Sequence, residues 1–367
     1  MADEEVKTAD EMVSPKALQQ AAEADKAAAR TFDRLGVWAL DFVTTEAPPR
    51  RVLLALPGGV SRKDADVLVE PGAAWMPAGK LGVLASPGGK GKTALALHLA
   101  GHVAAGVSWC GLEVTRPGAV ALVVGEEDRD ECHRRIKAAW AKFPDAVRRR
   151  AAARTLVLPL AGTGDNRLVT ENPNDRTVTK SDRAAELLAY LESKAPPEGW
   201  ALVLVDPFSR FAGMDAETDN AAATRTMEVL EELTKLRGDP AVLVTHHTRK
   251  RAKEDGGGDP VELIRGSSAI KDAARWAVML DADPEDDDGK RRAVLRIVKS
   301  NYTSTAYAVE MVTRYGIPES GKVRPVREMD AEKAEMKSDG GGRAKKPIKT
   351  EAGARANEQR TREVPGT

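Results

Sequence analysis

The stretch Leu81-Gly82-Val83-Leu84-Ala85-Ser86-Pro87-Gly88-Gly89-Lys90-Gly91-Lys92-Thr93 decides the fold of this chain. An apolar run typical of a buried strand leads into a close match to the pattern G-x-x-x-x-G-K-[ST], with serine in its first position. In such a loop, glycines let backbone N–H groups surround phosphate oxygens, Lys92 reaches the β and γ phosphates, and the Thr93 hydroxyl ligates Mg²⁺. Residues 94–106 are predicted to form the helix whose N-terminus faces the anion.

The motif therefore predicts a site for ATP and Mg²⁺. We expect the nucleotide to contact the whole loop and the first residue after it, namely Ser86, Pro87, Gly88, Gly89, Lys90, Gly91, Lys92, Thr93 and Ala94. Hydrolysis needs more than this loop, because the metal also requires a carboxylate and the attacking water requires a base.

Composition excludes several other classes of protein. The chain has 367 residues with 56 basic and 56 acidic side chains, so its formal net charge is zero. No overall positive field attracts nucleic acid or an anionic membrane, so any contact with nucleic acid must be local. No stretch approaches the roughly 20 apolar residues of a membrane span, and residues 1–16 are acidic and polar rather than signal-like. We therefore expect a cytoplasmic protein with no membrane partner.

The chain divides into four predicted regions. Residues 1–30 read as a polar arm, disordered or loosely helical, and residues 31–75 as an ordered lead-in. Residues 76–330 form the predicted ATPase domain, and residues 331–367 have hardly any large apolar side chains and are expected to be a disordered tail. Within the domain, strand-like runs alternate with helical stretches, which predicts an α/β fold with a mainly parallel sheet flanked by helices. The closely spaced last runs predict antiparallel strands at the C-terminal edge. The runs are Ala119–Val124, Thr155–Leu160, Ala201–Val205, Ala241–Thr245, Ala277–Leu280, Ala293–Val298 and Tyr307–Val312.

Two acidic positions follow apolar strands and are candidates for the chemistry of hydrolysis. Asp206 ends the run Leu202–Val205, where a carboxylate can hold a Mg²⁺-bound water, although it could instead cap the next turn. Glu126 and Glu127 end the run Ala121–Val124, and either could orient and deprotonate the attacking water. The alternative for this cluster is an acidic helix N-terminus that suits the helix dipole, which is the simpler explanation of Asp128 and Asp130.

At this point the chain resembles a known family, the RecA-like P-loop ATPases typified by the hexameric plasmid RepA replicative helicases. The resemblance covers residues 77–312 and depends on the order and spacing of five motifs. They are the phosphate-binding loop, the glutamate after the next strand, the Asp-Pro after Leu202–Val205, Val244-Thr245-His246-His247-Thr248-Arg249-Lys250, and Leu263-Ile264-Arg265-Gly266-Ser267-Ser268-Ala269-Ile270 with Ala273-Ala274-Arg275-Trp276.

The resemblance implies roles for individual residues. Glu126 matches the catalytic glutamate of the family, because this register also aligns Arg135, and Glu127 is the alternative. Asp206 matches the metal-side aspartate. His246 and His247 match paired histidines that sense the γ-phosphate or link it to the DNA-contacting loops.

Two basic residues are implied at a subunit interface. Arg265 falls where the family has a basic residue near that interface. Lys299 resembles the lysine of a Lys-x-Arg element that inserts into the ATP site of a neighbour, but here Asn301 replaces the arginine. Each of the two could instead be an ordinary salt-bridge partner.

Residues 209–225 and 249–265 are candidate loops for single-stranded DNA in a central channel, where six copies would multiply a modest basic patch. The second loop contains a basic cluster, Arg249, Lys250, Arg251 and Lys253; solvated surface loops are the alternative.

The resemblance thus implies a hexameric ring that hydrolyses ATP and moves on single-stranded DNA as a replicative helicase, with a replication initiator or a primase as candidate partners. The alternative is an ATP-switched scaffold, similar to RecA or KaiC regulators, that unwinds nothing. A small-molecule kinase is disfavoured because nothing resembles a lid over an acceptor substrate.

Overall fold

A nine-stranded sheet organises the molecule, whose computed structural model describes residues 51–57, 74–212, 220–248, 268–302 and 305–339. The described strands are β1 (Val52–Ala55), β2 (Ala74–Pro77), β3 (Leu81–Ser86), β4 (Glu113–Val114), β5 (Ala119–Val124), β6 (Thr155–Pro159), β7 (Val169–Glu171), β8 (Val178–Lys180), β9 (Trp200–Asp206), β10 (Ala241–His247), β11 (Trp276–Ala282), β12 (Lys290–Ser300), β13 (Tyr307–Arg314) and β14 (Ile317–Pro325). The described helices are α1 (Lys92–Ala105), α2 (Arg129–Ala139), α3 (Asp145–Ala153), α4 (Asp182–Lys194), α5 (Phe208–Phe211), α6 (Asn220–Glu232), α7 (Ser268–Ala273) and α8 (Val326–Asp339), with a 3-10 turn at Leu233–Lys235.

The strand order confirms the predicted fold class. The sheet runs β14-β13-β12-β11-β3-β10-β9-β5-β6. The six strands from β11 to β6 are parallel, and β12, β13 and β14 add to them as an antiparallel edge. The core is a mainly parallel sheet with the phosphate-loop strand β3 in its interior. Helices cover both faces, and β14 lies beyond the last strand that the sequence predicts.

Burial on both faces explains why the central strands are continuously apolar. Every residue of β3, β5 and β9 is buried. One face packs against α1 and the aromatic side chains Trp75 and Trp109, and the other packs against α4 and α6. Parallel sheets covered on both faces require such uniformly apolar strands. Because the strands are parallel, the carboxyl ends of β3, β5, β9 and β10 meet at the same edge of the sheet.

Part of the predicted lead-in forms a separate small sheet. The strand-like run Arg51–Leu56 contains β1, which pairs with β2 and β4 in antiparallel fashion. Leu53 and Leu54 are buried in the same hydrophobic core as α1, Trp75 and Trp109. Residues 1–50 and 58–73 lie outside the described residues, so the arm and the remainder of the lead-in stay predictions.

The chain beyond residue 331 differs in part from the predicted disordered tail. Helix α8 continues to Asp339, while residues 340–367 lie outside the described part. A buried side chain and several ion pairs hold its first turns. Met329 is buried, and Arg324 of β14 donates to Glu332 at 3.0 Å. The sequence did not predict this helix because it contains few apolar residues. One methionine and ion pairs hold it instead.

No helix in the described residues combines the length and the apolar character needed to cross a membrane.

A buried histidine makes the stability of this fold sensitive to acid. His98 of α1 is buried and its Nδ1 accepts a hydrogen bond of 3.1 Å from Trp109 Nε1. Burial, reinforced by the neighbouring His102, lowers the pKa of His98 from 6.5 to about 3. Below pH 6.5 the unfolded chain therefore binds a proton at His98 that the folded chain does not bind. The contribution of His98 to the free energy of unfolding is fully present above pH 6.5 and decreases as the pH falls towards 3.

We expect His98 to remove about 2 kcal/mol from the free energy of unfolding between pH 7 and pH 5. Urea unfolding at the two pH values measures this loss. His98→Gln keeps a hydrogen-bond acceptor but has no titrating group, so its loss between the same pH values should be smaller by about that amount. Equal losses in the two proteins would contradict the assignment.

Candidate nucleotide-binding site

The loop after β3 has the backbone geometry of an anion cradle. Gly89 and Gly91 adopt left-handed conformations with φ of +73° and +85°, which other residues rarely adopt. Nothing lies within 4 Å of the position a side chain would occupy on Gly88 or Gly89, so the loop is open there. Gly91 precedes α1 without any side-chain cap, which leaves the first backbone N–H groups of the helix available to a phosphate.

Lys92 is a buried cation at this helix start. It is 7% exposed, and its Nζ lies 3.3 Å from Nδ1 of His247 at the end of β10. Because an ammonium group can only donate, this contact requires a neutral His247 ring with its proton on Nε2. Burial lowers the pKa of Lys92, while Asp206 and Glu126 oppose that shift. A triphosphate beside Lys92 would supply the negative charge that a desolvated lysine lacks.

Asp206 is held at the carboxyl end of β9, next to the phosphate loop. Its side chain is buried and accepts a hydrogen bond from the Thr245 hydroxyl of β10, and its carbonyl accepts one of 2.8 Å from the Gly125 N–H. One carboxylate oxygen is thereby oriented by Thr245. Thr93 and Asp206 line one cleft, which is the donor set that Mg²⁺ with its waters prefers. The residues present therefore fit the metal.

The two glutamates after β5 occupy different environments. Glu126 lines the cleft, whereas Glu127 forms an ion pair of 2.7 Å with Arg135 of α2. Burial raises the pKa of Glu127, and Arg135 acts in the opposite direction. A carboxylate that faces the cleft can reach a water near a bound nucleotide, whereas Glu127 does not line the cleft and is held by the closer ion pair with Arg135. The geometry therefore favours Glu126 over Glu127.

The cleft contains residues that sequence reasoning missed. Its volume is about 510 Å³, and its lining adds Arg135, Ala138, Pro207, Glu285, Arg291, Tyr315 and Ile317 to the predicted residues. Tyr315 and Ile317 belong to the turn between β13 and β14 and to the start of β14, beyond the last predicted strand. Only the tyrosine–glycine pair at 315–316, typical of a tight turn, could have signalled this hairpin in the sequence.

The hairpin touches the phosphate loop directly. A side chain on Gly91 would lie 2.6 Å from the Gly316 Cα, so neither glycine has room for one. The buried Arg291 of β12 donates to the Gly89 carbonyl at 3.3 Å and pairs with Glu285. The antiparallel edge of the sheet thus forms one wall of the cleft.

Other predicted site residues lie elsewhere. His246 is buried, with its ring 5.2 Å from that of Phe208, so the structure brings only His247 of the pair into the cleft. Lys299 donates to the carbonyls of Lys271 and Asp272 at 2.5 and 3.2 Å, which caps the C-terminal end of α7 in its own chain. Arg265, residues 213–219 and the basic cluster at 249–253 lie outside the described residues.

A sheet of this topology with a glycine-rich loop, a buried lysine and an aspartate at its carboxyl edge defines a P-loop nucleotide-binding protein. The comparison with protein families agrees. A family model described as an AAA domain matches residues 59–253, more than half of the chain, and the chain therefore belongs to this family of P-loop ATPases, which generally use ATP and Mg²⁺.

One solved structure that is similar is the KaiC-like protein of the hyperthermophilic archaeon Pyrococcus horikoshii OT3. It has 18% sequence identity and a TM-score of 0.44 over 76% of this chain and 100% of that chain.

Proposed function

We propose that this chain hydrolyses ATP in the cleft and uses the energy to move along single-stranded DNA, as a replicative helicase of the RepA type. The observation that carries the ATPase part is the convergence of Lys92, Asp206 and Glu126 on one cleft. They come from α1, β9 and the end of β5. The family resemblance and the position of the two candidate DNA loops support the helicase part.

Each residue has a physical task in hydrolysis. Lys92 and the N–H groups at the start of α1 hold the β and γ phosphates, and the desolvated charge is worth more here than in water. Glu126 accepts the proton of the attacking water. Thr93 and Asp206 would hold Mg²⁺, the aspartate through a water, and the metal when bound would neutralise charge on the phosphates. His247, in contact with Lys92, reports the state of the γ-phosphate to the chain that follows β10.

We assign the adenine ring of the nucleotide to the wall of the cleft that the β13–β14 hairpin forms. Tyr315 and Ile317 present apolar surface to the cleft, and Tyr315 is 67% exposed, which leaves its ring available for stacking. Adenine binds to aromatic and aliphatic side chains of this kind. Arg265 and Lys299 are assigned to the neighbouring subunit's ATP site in a hexameric ring. Lys299 would have to leave the carbonyls of α7 to reach it.

The connection from ATP to DNA is short in this fold. In the chain, the candidate segments 209–225 and 249–265 follow within a few residues of β9 and β10, the strands that carry Asp206 and His247 to the cleft; the described parts of the first segment are helical, in α5 and the first turns of α6. A change at the phosphates therefore reaches either loop within a few residues. This supports the assignment of both loops to the DNA path.

We expect the substitution of Arg249, Lys250, Arg251 and Lys253 by alanine to abolish the stimulation of ATP hydrolysis by single-stranded DNA. Basal hydrolysis and ring assembly should persist, because the described residues that line the cleft, Lys92 and Asp206 among them, are unchanged. DNA affinity should fall, and the slope of log affinity against log salt should become shallower by about 0.7 for each lost phosphate contact. Phosphate release and fluorescence anisotropy at several salt concentrations measure both effects.

The matched control removes the same charge elsewhere. Arg148, Arg149, Arg150 and Arg154, on and just after α3, are all exposed, and their replacement by alanine should leave DNA stimulation intact. If the control variant lost DNA stimulation equally, the cause would be the net charge of the protein and not the position of the four residues. An unmodified protein that hydrolyses ATP but never responds to DNA at low salt would contradict the helicase and favour the ATP-switched scaffold.

A further inference from the structure

A second cleft lies on the other side of Glu126. Its volume is about 410 Å³, and the glycine-rich loop at 160–167 and the start of α5 form its walls. Among the described residues that line the two clefts, Glu126 is the one they share. The carboxylate assigned as the base therefore stands between the nucleotide and a separate polar cavity.

Arg210 holds Glu126 on the side of this second cleft. Its Nε lies 3.3 Å from Glu126 Oε1, and the two side chains are 59% and 43% exposed. The backbone of Arg210 is anchored, because the buried Phe211 and the Arg210 Cβ pack against Gly125 so closely that a side chain there would lie 2.7 Å from that Cβ. The backbone and Cβ of Arg210 are thus fixed, whereas its exposed guanidinium can rotate.

Of the two arginines in the described lining of the second cleft, Arg210 is the one that can most easily change its partner. The other arginine in the described lining, Arg167, is held by Asp165 of the same loop, with Nε 2.8 Å from Oδ2. Within the described part of the chain, Arg210 forms one ion pair, with Glu126, and an exposed pair of this kind is weak. A phosphate group offers a guanidinium two parallel hydrogen bonds, so it competes well with one carboxylate oxygen.

We infer that the second cleft binds a phosphate group, and that Arg210 releases Glu126 when it turns to that phosphate. While paired with Arg210, Glu126 has one carboxylate oxygen engaged by the guanidinium; once released, both oxygens can serve the nucleotide cleft. The phosphate we assign is a phosphodiester of single-stranded DNA, because Ser209 and Arg210 begin the candidate loop 209–225. The inference rests on the proposed function, since it requires Glu126 to be the base.

The test compares ATP hydrolysis by Arg210→Ala, Arg210→Lys and the unmodified protein, each alone, with poly-dT, and with inorganic phosphate. Without DNA, Arg210→Ala should hydrolyse ATP faster, by up to about fivefold, the factor that an exposed ion pair can hold. Its further stimulation by poly-dT should fall towards onefold. Arg210→Lys keeps a cation that can pair with Glu126, so its basal rate should stay low. Arg148→Ala, which removes an exposed, ion-paired arginine on α3, is the control.

Each outcome decides a separate point. Stimulation of the unmodified protein by poly-dT but not by phosphate supports the DNA backbone as the ligand, and equal stimulation by phosphate assigns a small-anion site instead. A basal rate that is unchanged or lower in Arg210→Ala overturns the inference, even if hydrolysis depends on Lys92. Hydrolysis that survives Lys92→Ala would overturn the proposed function itself.

Discussion

Lys92→Ala is expected to abolish ATP hydrolysis while the fold is retained. The residue is a buried cation at the N-terminus of α1, surrounded by Asp206, Glu126 and His247, and alanine leaves the negative charge of the phosphates uncompensated. Loss of one preorganised group that stabilises transition-state charge costs roughly 3 to 4 kcal/mol, which corresponds to a rate lower by about 10² to 10³. Phosphate release measures the rate, and thermal unfolding checks the fold.

Lys90→Ala is the matched control for this result. Lys90 lies in the same loop, but its Nζ donates to the Ala282 carbonyl at 2.5 Å and the residue does not line the cleft. Its loss should slow hydrolysis far less, because the charge next to the phosphates remains. Near-normal turnover by a folded Lys92→Ala protein would remove the cleft from consideration as the active site.

Glu126→Gln should bind ATP with nearly unchanged affinity and hydrolyse it slowly. The amide keeps the shape of the side chain but cannot accept the proton of the attacking water, and loss of a positioned base costs about 10² to 10⁴ in rate. Binding of a fluorescent ATP analogue separates affinity from chemistry, and a single-turnover experiment measures the chemical step.

Glu127→Gln tells the two neighbouring carboxylates apart. This substitution weakens the ion pair with Arg135 and leaves Glu126 in the cleft, so we expect a modest effect. If Glu127→Gln alone blocks hydrolysis while Glu126→Gln does not, the base is Glu127. In that case Arg210 no longer contacts the catalytic group, and the second cleft loses its link to hydrolysis.

The local elements of this protein could be predicted because their signals are contiguous. The strands β3 and β5 coincide with the predicted runs, since a strand buried on both faces is apolar at every position. Likewise, the loop from Ser86 to Thr93 carries its chemistry in adjacent residues. The acid after a strand could be placed at the carboxyl edge of the sheet for the same reason.

Contacts between distant segments could not be predicted. The hairpin that brings Tyr315 to the phosphate loop lies more than 200 residues from Gly91, and its residues carry no motif. The pair Arg210–Glu126 joins the ends of two strands that neighbour each other only in the sheet. Helix α8 depends on Arg324 and its acidic partners rather than on an apolar stripe.

By itself the sequence determined the class of fold, the phosphate loop, and the candidate set of Lys92, Thr93 and Asp206, because strand burial and phosphate binding leave patterns within short segments. Only the tertiary structure decided between residues that are equivalent by pattern. It turned Glu126 towards the cleft and Glu127 towards Arg135, and it placed His247 beside Lys92 while burying His246. Neighbouring residues at a strand end face different surroundings, and those surroundings are supplied by segments far away in the chain.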